Sequence, residues 1–357
     1  MMWHKTKISE LFGIKYPILS GPMGGGFSTP ELLAAVSNAG GLGSFGAYTL
    51  DPDQILAAAQ LIKTKTDKPY NINLWVSDVD ASLIDYSATQ IEEVKQLFKP
   101  YFDELSIPLP DLDVNIPSRF LHQIEAIFEI KPAVFSFIFG IPPKEILDEC
   151  RRMGIKTVGA ATTIDEALVL EAAKVDAIVA AGFEAGGHRP SFLCPAQDSL
   201  TGTFTLIQQL KASVKTPVIA AGGIADAKGI AAALTLGADA VQLGTVFLAT
   251  DESNATPVHK AKLFSEESNY TVLSKSLTGR MGRLIRNRIS DEIKQETEVL
   301  PFPLQSRLIG QLKIAALAQG KTELVNFWSG QNTVTLKHTK ASDLMQALLT
   351  ETSKLYP

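Results

Sequence analysis

Two cysteines, Cys150 and Cys194, are too few in 357 residues for a disulfide-stapled scaffold, and no Cys-x-x-Cys pair is present to hold zinc. Both read as free thiols in a reducing compartment. Basic residues are also scarce: 33 Lys and Arg face 38 Asp and Glu, a net charge of −5. That balance speaks against nucleic-acid binding, which wants a basic surface. No apolar run is long enough to span a bilayer, and the opening residues MMWHKTKISELFG lack the apolar core of a secretory signal. The expectation is a cytoplasmic chain with neither a membrane nor a nucleic-acid partner. Four of the five histidines, His4, His122, His259 and His338, have no partner at metal-ligand spacing, so no metal is expected.

What is present is ordinary for a globular protein, with 45% hydrophobic and 20% charged residues. The length suits one large domain with an appendage, or two domains. From Tyr16 to Thr245, short apolar runs alternate with helical patterns. The expected strands are YPILSGPM from Tyr16, GLGSFG from Gly41, YNINLWV from Tyr70, AVFSFIFG from Ala133, IKTVGAA from Ile155, DAIVAAG from Asp176, PVIAAGG from Pro217 and DAVQLGT from Asp239. Between them lie segments such as TPELLAAVSNAG, IDEALVLEAAK and AKGIAAALTLG, opened by polar residues and closed near Gly or Lys, as helices are. Strands apolar throughout are buried on both faces, the mark of a parallel sheet covered by helices. Eight such units in about 250 residues suit an α/β fold of the (β/α)₈ TIM-barrel type. A doubly wound sheet would want GxGxxG after the first strand, and GPMGGGF lacks that spacing.

The interval from Ser77 to Pro117 is too long for a plain barrel loop. It is expected to carry a helix, ATQIEEVKQLFKPYFDEL, over the barrel mouth. The chain after about Asp251 reads as helical and charged. The expected division is a barrel over 1–250 with a cap insertion at about 77–117, and a C-terminal helical region over 251–357 completing the cap and barrel.

Active sites of such barrels form at the C-terminal strand ends. There the sequence places Pro22, Met23 and Gly24 after the first strand, Asn73 in the third, and Gly186, Gly187 and His188 after the sixth. After the seventh come Gly222 and Gly223, and the eighth ends in Gln242, Leu243, Gly244 and Thr245. Small residues collect where a flat ligand would need close backbone approach. The glycine motifs after strands seven and eight, AAGGIAD and QLGT, occupy the fold's usual phosphate seat. His188, in GFEAGGHRP, stands behind two glycines that remove side-chain cover, where an imidazole could take a proton or hold an anion. Glu166 reads as a favourable charge at a helix N-terminus. In TGRMGRLIRNRI, Arg280, Arg283 and Arg286 fall at i, i+3 and i+6, with Arg288 close by. They are expected on one solvated or salt-bridged helix face. FWSGQ, Phe327 to Gln331, reads as an aromatic-to-turn signal.

With these residues in view, the chain resembles the bacterial nitronate monooxygenases, formerly called 2-nitropropane dioxygenases. The likeness runs nearly the whole length, through YPILSGPMGGGFSTPELLAAVSNAGGLGSFG, GFEAGGHRP, TPVIAAGGIAD with GADAVQLGTVFLATDES, LTGRMGRLIRN, FPLQ and FWSGQ. The glycine motifs are shared with other flavin barrels, while the two C-terminal segments are more specific. The resemblance implies non-covalent FMN, held by Pro22, Met23, Gly24, Asn73, Gly186, Gly223 and Gln242 to Thr245. It implies oxidation of an alkyl nitronate with O₂ to a carbonyl compound and nitrite, with His188 as the catalytic residue. The chain departs from the family pattern at Ala181, where many members have Gln, and at Pro190, which replaces Gly. Some members have His where Glu166 stands. Three alternatives stay open: an FMN-dependent enoyl-acyl-carrier-protein reductase, a phosphate-substrate isomerase or lyase on the same fold, and a non-catalytic flavin-binding protein. The physiological nitronate and a homo-oligomeric state are left open too.

Overall fold

The computed structural model describes residues 2–80, 82, 85–294 and 297–356. Its central sheet follows the expected runs: β1 (Ile18–Ser20), β2 (Gly43–Gly46), β3 (Tyr70–Trp75), β4 (Val134–Ile138), β5 (Lys156–Ala161) and β6 (Ala177–Ala181). After a short outlying strand, β7 (Gly187–His188), come β8 (Val218–Ala221) and β9 (Ala240–Leu243). The eight barrel strands are parallel, in the order β1-β9-β8-β6-β5-β4-β3-β2. Closure falls between β1 and β2, where Ser20 N–H donates to Leu42 O and Leu42 N–H to Ile18 O, both at 3.0 Å. The fold is a (β/α)₈ TIM barrel.

Alternation along each strand divides the core in two. Ile178, Ala180, Phe135 and Phe137 point outward into the helix layer. Leu19, Val158, Ala177, Val179 and Ile219 point inward and fill the barrel. Towards the C-terminal strand ends the inward positions turn small or polar. Ala160, Ala181, Ala221, Asn73 and Gln242 leave room there for a floor instead of a plug. The opposite end is stoppered by helix Lys7–Phe12, whose Ile8 and Phe12 pack with the inward residues. That helix spans six residues, too few for periodicity to announce it. The last helix, Ala341–Leu355, joins the outer ring by packing Leu344, Met345 and Leu348 among residues of helices Pro30–Asn38 and Ala227–Thr235.

The expected helix in the insertion is present as Ala88–Glu104. Its Val94, Phe98 and Phe102 share an apolar cluster with Leu304, Leu308 and Leu312 of helix Leu304–Ala318. Among the described residues no helix is long and apolar enough to cross a membrane. The region after Asp251 is not wholly helical. β10 (Thr271–Ser274) and β11 (Gly282–Ile285) form an antiparallel pair, and β11 also pairs with β7. This corrects the helix expected over TGRMGRLIRN. In a strand the arginine spacing puts neighbours on different faces. Arg283 is buried, Arg280 packs into the site described below, and Arg286 and Arg288 carry exposed ion pairs with Asp291 and with Glu104 and Glu292.

Candidate active site

A cavity of about 450 Å³ opens at the C-terminal strand ends, within the size range of ligand sites. Every sequence-predicted site residue lines it except Leu243. Leu243 is fully buried among Ile18, Val241 and Phe247, so its side chain belongs to the outer layer and stays out of the cavity. The floor is backbone and small side chains. A Cβ on Gly24 would lie 2.4 Å from the Tyr48 ring, and one on Gly186 would lie 2.5 Å from the Gly330 nitrogen. Asn73 is held by donating from Nδ2 to Ser136 Oγ at 2.9 Å, and its Oδ1 takes no partner among the described residues. That atom suits an N–H on a ring edge.

One end of the cavity is built for an anion. Gly222 (φ 116°) and Gly223 (φ 69°) pass through the left-handed region after β8, which only glycine enters without strain. Their N–H groups find no acceptor among the described residues. Thr245 opens a short helix, so its N–H has no partner within that helix. FWSGQ is more than a turn: it closes over this seat. Gly330 N–H donates to Thr245 Oγ1 at 2.9 Å, Gln331 N–H to Glu184 O at 3.0 Å, and Asn332 Nδ2 to Gly223 O at 3.0 Å.

His188 stands on the other wall. It lies on β7, beyond the end of β6, and β11 fixes it through the Gly282–His188 pairing. Its ring meets Trp328 (4.9 Å between centroids), Trp75 (5.4 Å) and Phe302 (5.9 Å). Its Nε2 is 2.9 Å from Thr278 Oγ1. Burial, and then the Arg280 guanidinium, push its pKa down to about 3, so the imidazole is neutral. Arg280 fills the box behind this wall, 4.2 Å from the Phe139 ring centre, 4.6 Å from Phe302 and 5.6 Å from Trp75. Asp80 pairs with it at 2.6 Å and also accepts the Phe302 N–H at 3.0 Å.

The rest of GFEAGGHRP is scaffolding. Arg189 donates to Ala181 O and Ser199 O. Glu184 accepts from Thr203 N–H and hydroxyl, and Arg283 bonds Phe183 O through two nitrogens. Glu166 does more than meet a helix dipole. It is fully buried, and its carboxylate accepts from Thr162 N–H and hydroxyl and from the Phe192 and Leu193 N–H groups. It thereby pins the loop that follows His188. Sequence reasoning missed the aromatic wall of Tyr48, Trp75, Phe302 and Trp328, and Thr278. It also missed Lys313, which lines the cavity on the same helix face as Ser306, Ile309 and Gly310. The helical spacing of those four was the only signal to be had; the aromatics look like core residues.

The family model described as nitronate monooxygenase matches residues 5–351. A probable nitronate monooxygenase of Staphylococcus aureus strain Newman is 35% identical over 356 residues, covering 99% of both chains. Nitroalkane oxidase from Streptomyces ansochromogenes has a similar structure, with TM-score 0.89, 32% identity and 98% of each chain covered. FabK from Thermotoga maritima aligns with TM-score 0.75 and 30% identity, over 99% of this chain and 97% of its own. The strand-end cavity and the match along nearly the whole sequence lead to one conclusion: this chain belongs to the nitronate monooxygenase family and is an enzyme of that type.

Proposed function

We propose that the cavity binds FMN and that the protein oxidises alkyl nitronates with O₂ to a carbonyl compound and nitrite. Nitronate monooxygenases are generally flavin-dependent. The observation that carries the reading is an anion seat whose Gly222 and Gly223 N–H groups find no acceptor among the described residues, joined to a side-chain-poor floor. A planar ring with one phosphate on a short tail fits that shape. The N–H groups of Gly222, Gly223 and Thr245 would hold the phosphate, with Gly244 leaving open space beside them. Pro22, Met23, Gly24, Gly186 and Gly187 would border the ring, and Asn73 and Gln242 would meet its polar edge. When bound, FMN supplies the redox chemistry between nitronate and O₂.

His188 would face the substrate above the ring, either receiving a proton from a neutral nitroalkane or bonding a nitronate. Trp75, Phe302 and Trp328 exclude water around it. Identification of the flavin released on denaturation, with nitrite and O₂ followed during turnover of a nitronate, tests the reading. FMN, with nitrite formed as O₂ is consumed, is expected. FAD, a colourless protein that FMN cannot reconstitute, or no nitrite would overturn it.

A further inference from the structure

Among the described residues that line the cavity, Lys313 is the only lysine or arginine. Its Nζ makes no hydrogen bond or ion pair among the described residues. Nor is it sealed within protein, so it meets the open space of the cavity that its residue lines. An ammonium so placed has no carboxylate to favour its charge. We infer that Lys313 is a carbonyl-binding amine, which condenses reversibly with an aldehyde held in the cavity to form an imine. The site goes beyond the proposed oxidation. Only its link to turnover rests on that reading, because the carbonyl product would form in the same cavity.

The helix that carries Lys313 prepares the position. Side chains on a helix lean towards its N-terminus, over the residues three and four before them. For Lys313 those are Gly310 and Ile309, and a Cβ on Gly310 would meet nothing within 4 Å. The lysine stem therefore has clear space beside it. Phe27, Leu248 and Trp328 line the same cavity with apolar surface. Burial pushes the Lys313 pKa down, and a lysine desolvated in an apolar pocket is the form that attacks carbonyl groups. Its charge is felt at His259: burial first, and then Lys313, push that imidazole down to about 4, against the pull of the Trp328 carbonyl. The Phe327 ring meets His259 at 5.2 Å between centroids, and Asn326 precedes it. Asn326 is 8% exposed and lines the cavity, and its amide is unpartnered among the described residues without being sealed. That amide can donate to the oxygen of a bound aldehyde. Ser306 stands two turns before Lys313, about 10 Å by helix rise, and donates to the carbonyl of Thr278, the residue bonded to His188. The condensation needs no oxidant. The lone pair of the unprotonated amine forms the C–N bond as the C=O pair moves to oxygen. Both amine hydrogens then leave with that oxygen as water, and a C=N bond remains.

Propanal and sodium cyanoborohydride, added to the purified protein at neutral pH, test the site. Cyanoborohydride reduces an imine to a stable secondary amine, and digestion with mass spectrometry locates the propyl mark. Lys313 should carry more of it than any exposed lysine, including Lys144, whose ammonium pairs with Asp148. Lys313→Arg and Lys313→Met should lose that mark, with thermal unfolding showing that both variants remain folded. The nitronate of 1-nitropropane, supplied in place of propanal, should leave the same mark, because its carbonyl product is the same aldehyde. A mark spread evenly over the exposed lysines, or one absent from Lys313 until the protein is denatured, would overturn the inference. Failure of the functional reading would show separately: propanal would still mark Lys313, and the nitronate would not.

Discussion

The floor and the wall of this cavity are built on different terms. The floor comes from strand ends, and its recognition elements are backbone: Gly24, Gly186, Gly222, Gly223 and Gly244. The wall comes from segments far apart in the chain, Trp75, His188, Thr278, Phe302 and Trp328, and its elements are side chains held by other side chains. A backbone floor suits a flat group and an anion, which need close approach and N–H donors. A side-chain wall sets what is done to the substrate. Damage to the floor should therefore remove the ligand, and damage to the wall should leave it bound and slow the reaction.

Gly186→Val breaks the floor most severely. Its Cβ would sit 2.5 Å from the Gly330 nitrogen, backbone that also bonds Thr245. Flavin per chain should fall to near zero, as absorbance of the purified protein would show. His188→Asn breaks the wall instead. Flavin content should hold while turnover of a neutral nitroalkane falls about 10²–10⁴-fold, with a smaller loss on the preformed nitronate. A variant that loses its flavin would place His188 in the floor.

Acid sharpens the same contrast. His188 and His259 are pushed down to about 3 and about 4, chiefly by burial, and His259 donates from Nε2 to the Trp328 carbonyl at 2.8 Å. Both pKa values are depressed below the unfolded value of about 6.5, so below that pH the unfolded chain binds protons that the folded one refuses. Stability should be complete above about pH 6.5 and decline as pH falls toward 4, by up to about 1.4 kcal/mol per pH unit for each histidine. Thermal unfolding across that range measures it, and His188→Asn should make the decline shallower. The smallest effect belongs to Arg286→Ala. That side chain is 62% exposed and, among the described residues, pairs with Asp291 alone, so its loss should change stability by less than about 1 kcal/mol in denaturant unfolding and leave activity alone.

The same division explains what the sequence disclosed. The barrel strands followed the expected runs, and the plainest were those buried on both faces and apolar throughout, as in AIVAA of β6 and VIAA of β8. The floor was legible because glycine marks close backbone approach. Leu243 was the exception, carried along by its neighbours although its side chain points away. The wall was not legible. β7 is two residues long and exists only because β11 pairs with it from across the chain. Arg280 and Arg283 showed helical spacing but stand in and beside a strand, and no local pattern says that Phe302 will meet Trp75. Such residues are fixed by tertiary contact, to which periodicity is blind.

Anaerobic mixing of the purified protein with a preformed nitronate, following the visible absorbance, tests most directly whether this cavity is a nitronate-oxidising flavin site. Rapid, saturable bleaching is expected, with little or none on mixing with NADH or NADPH. A flavin that stays oxidised with nitronates yet is reduced quickly and saturably by either nicotinamide would contradict it.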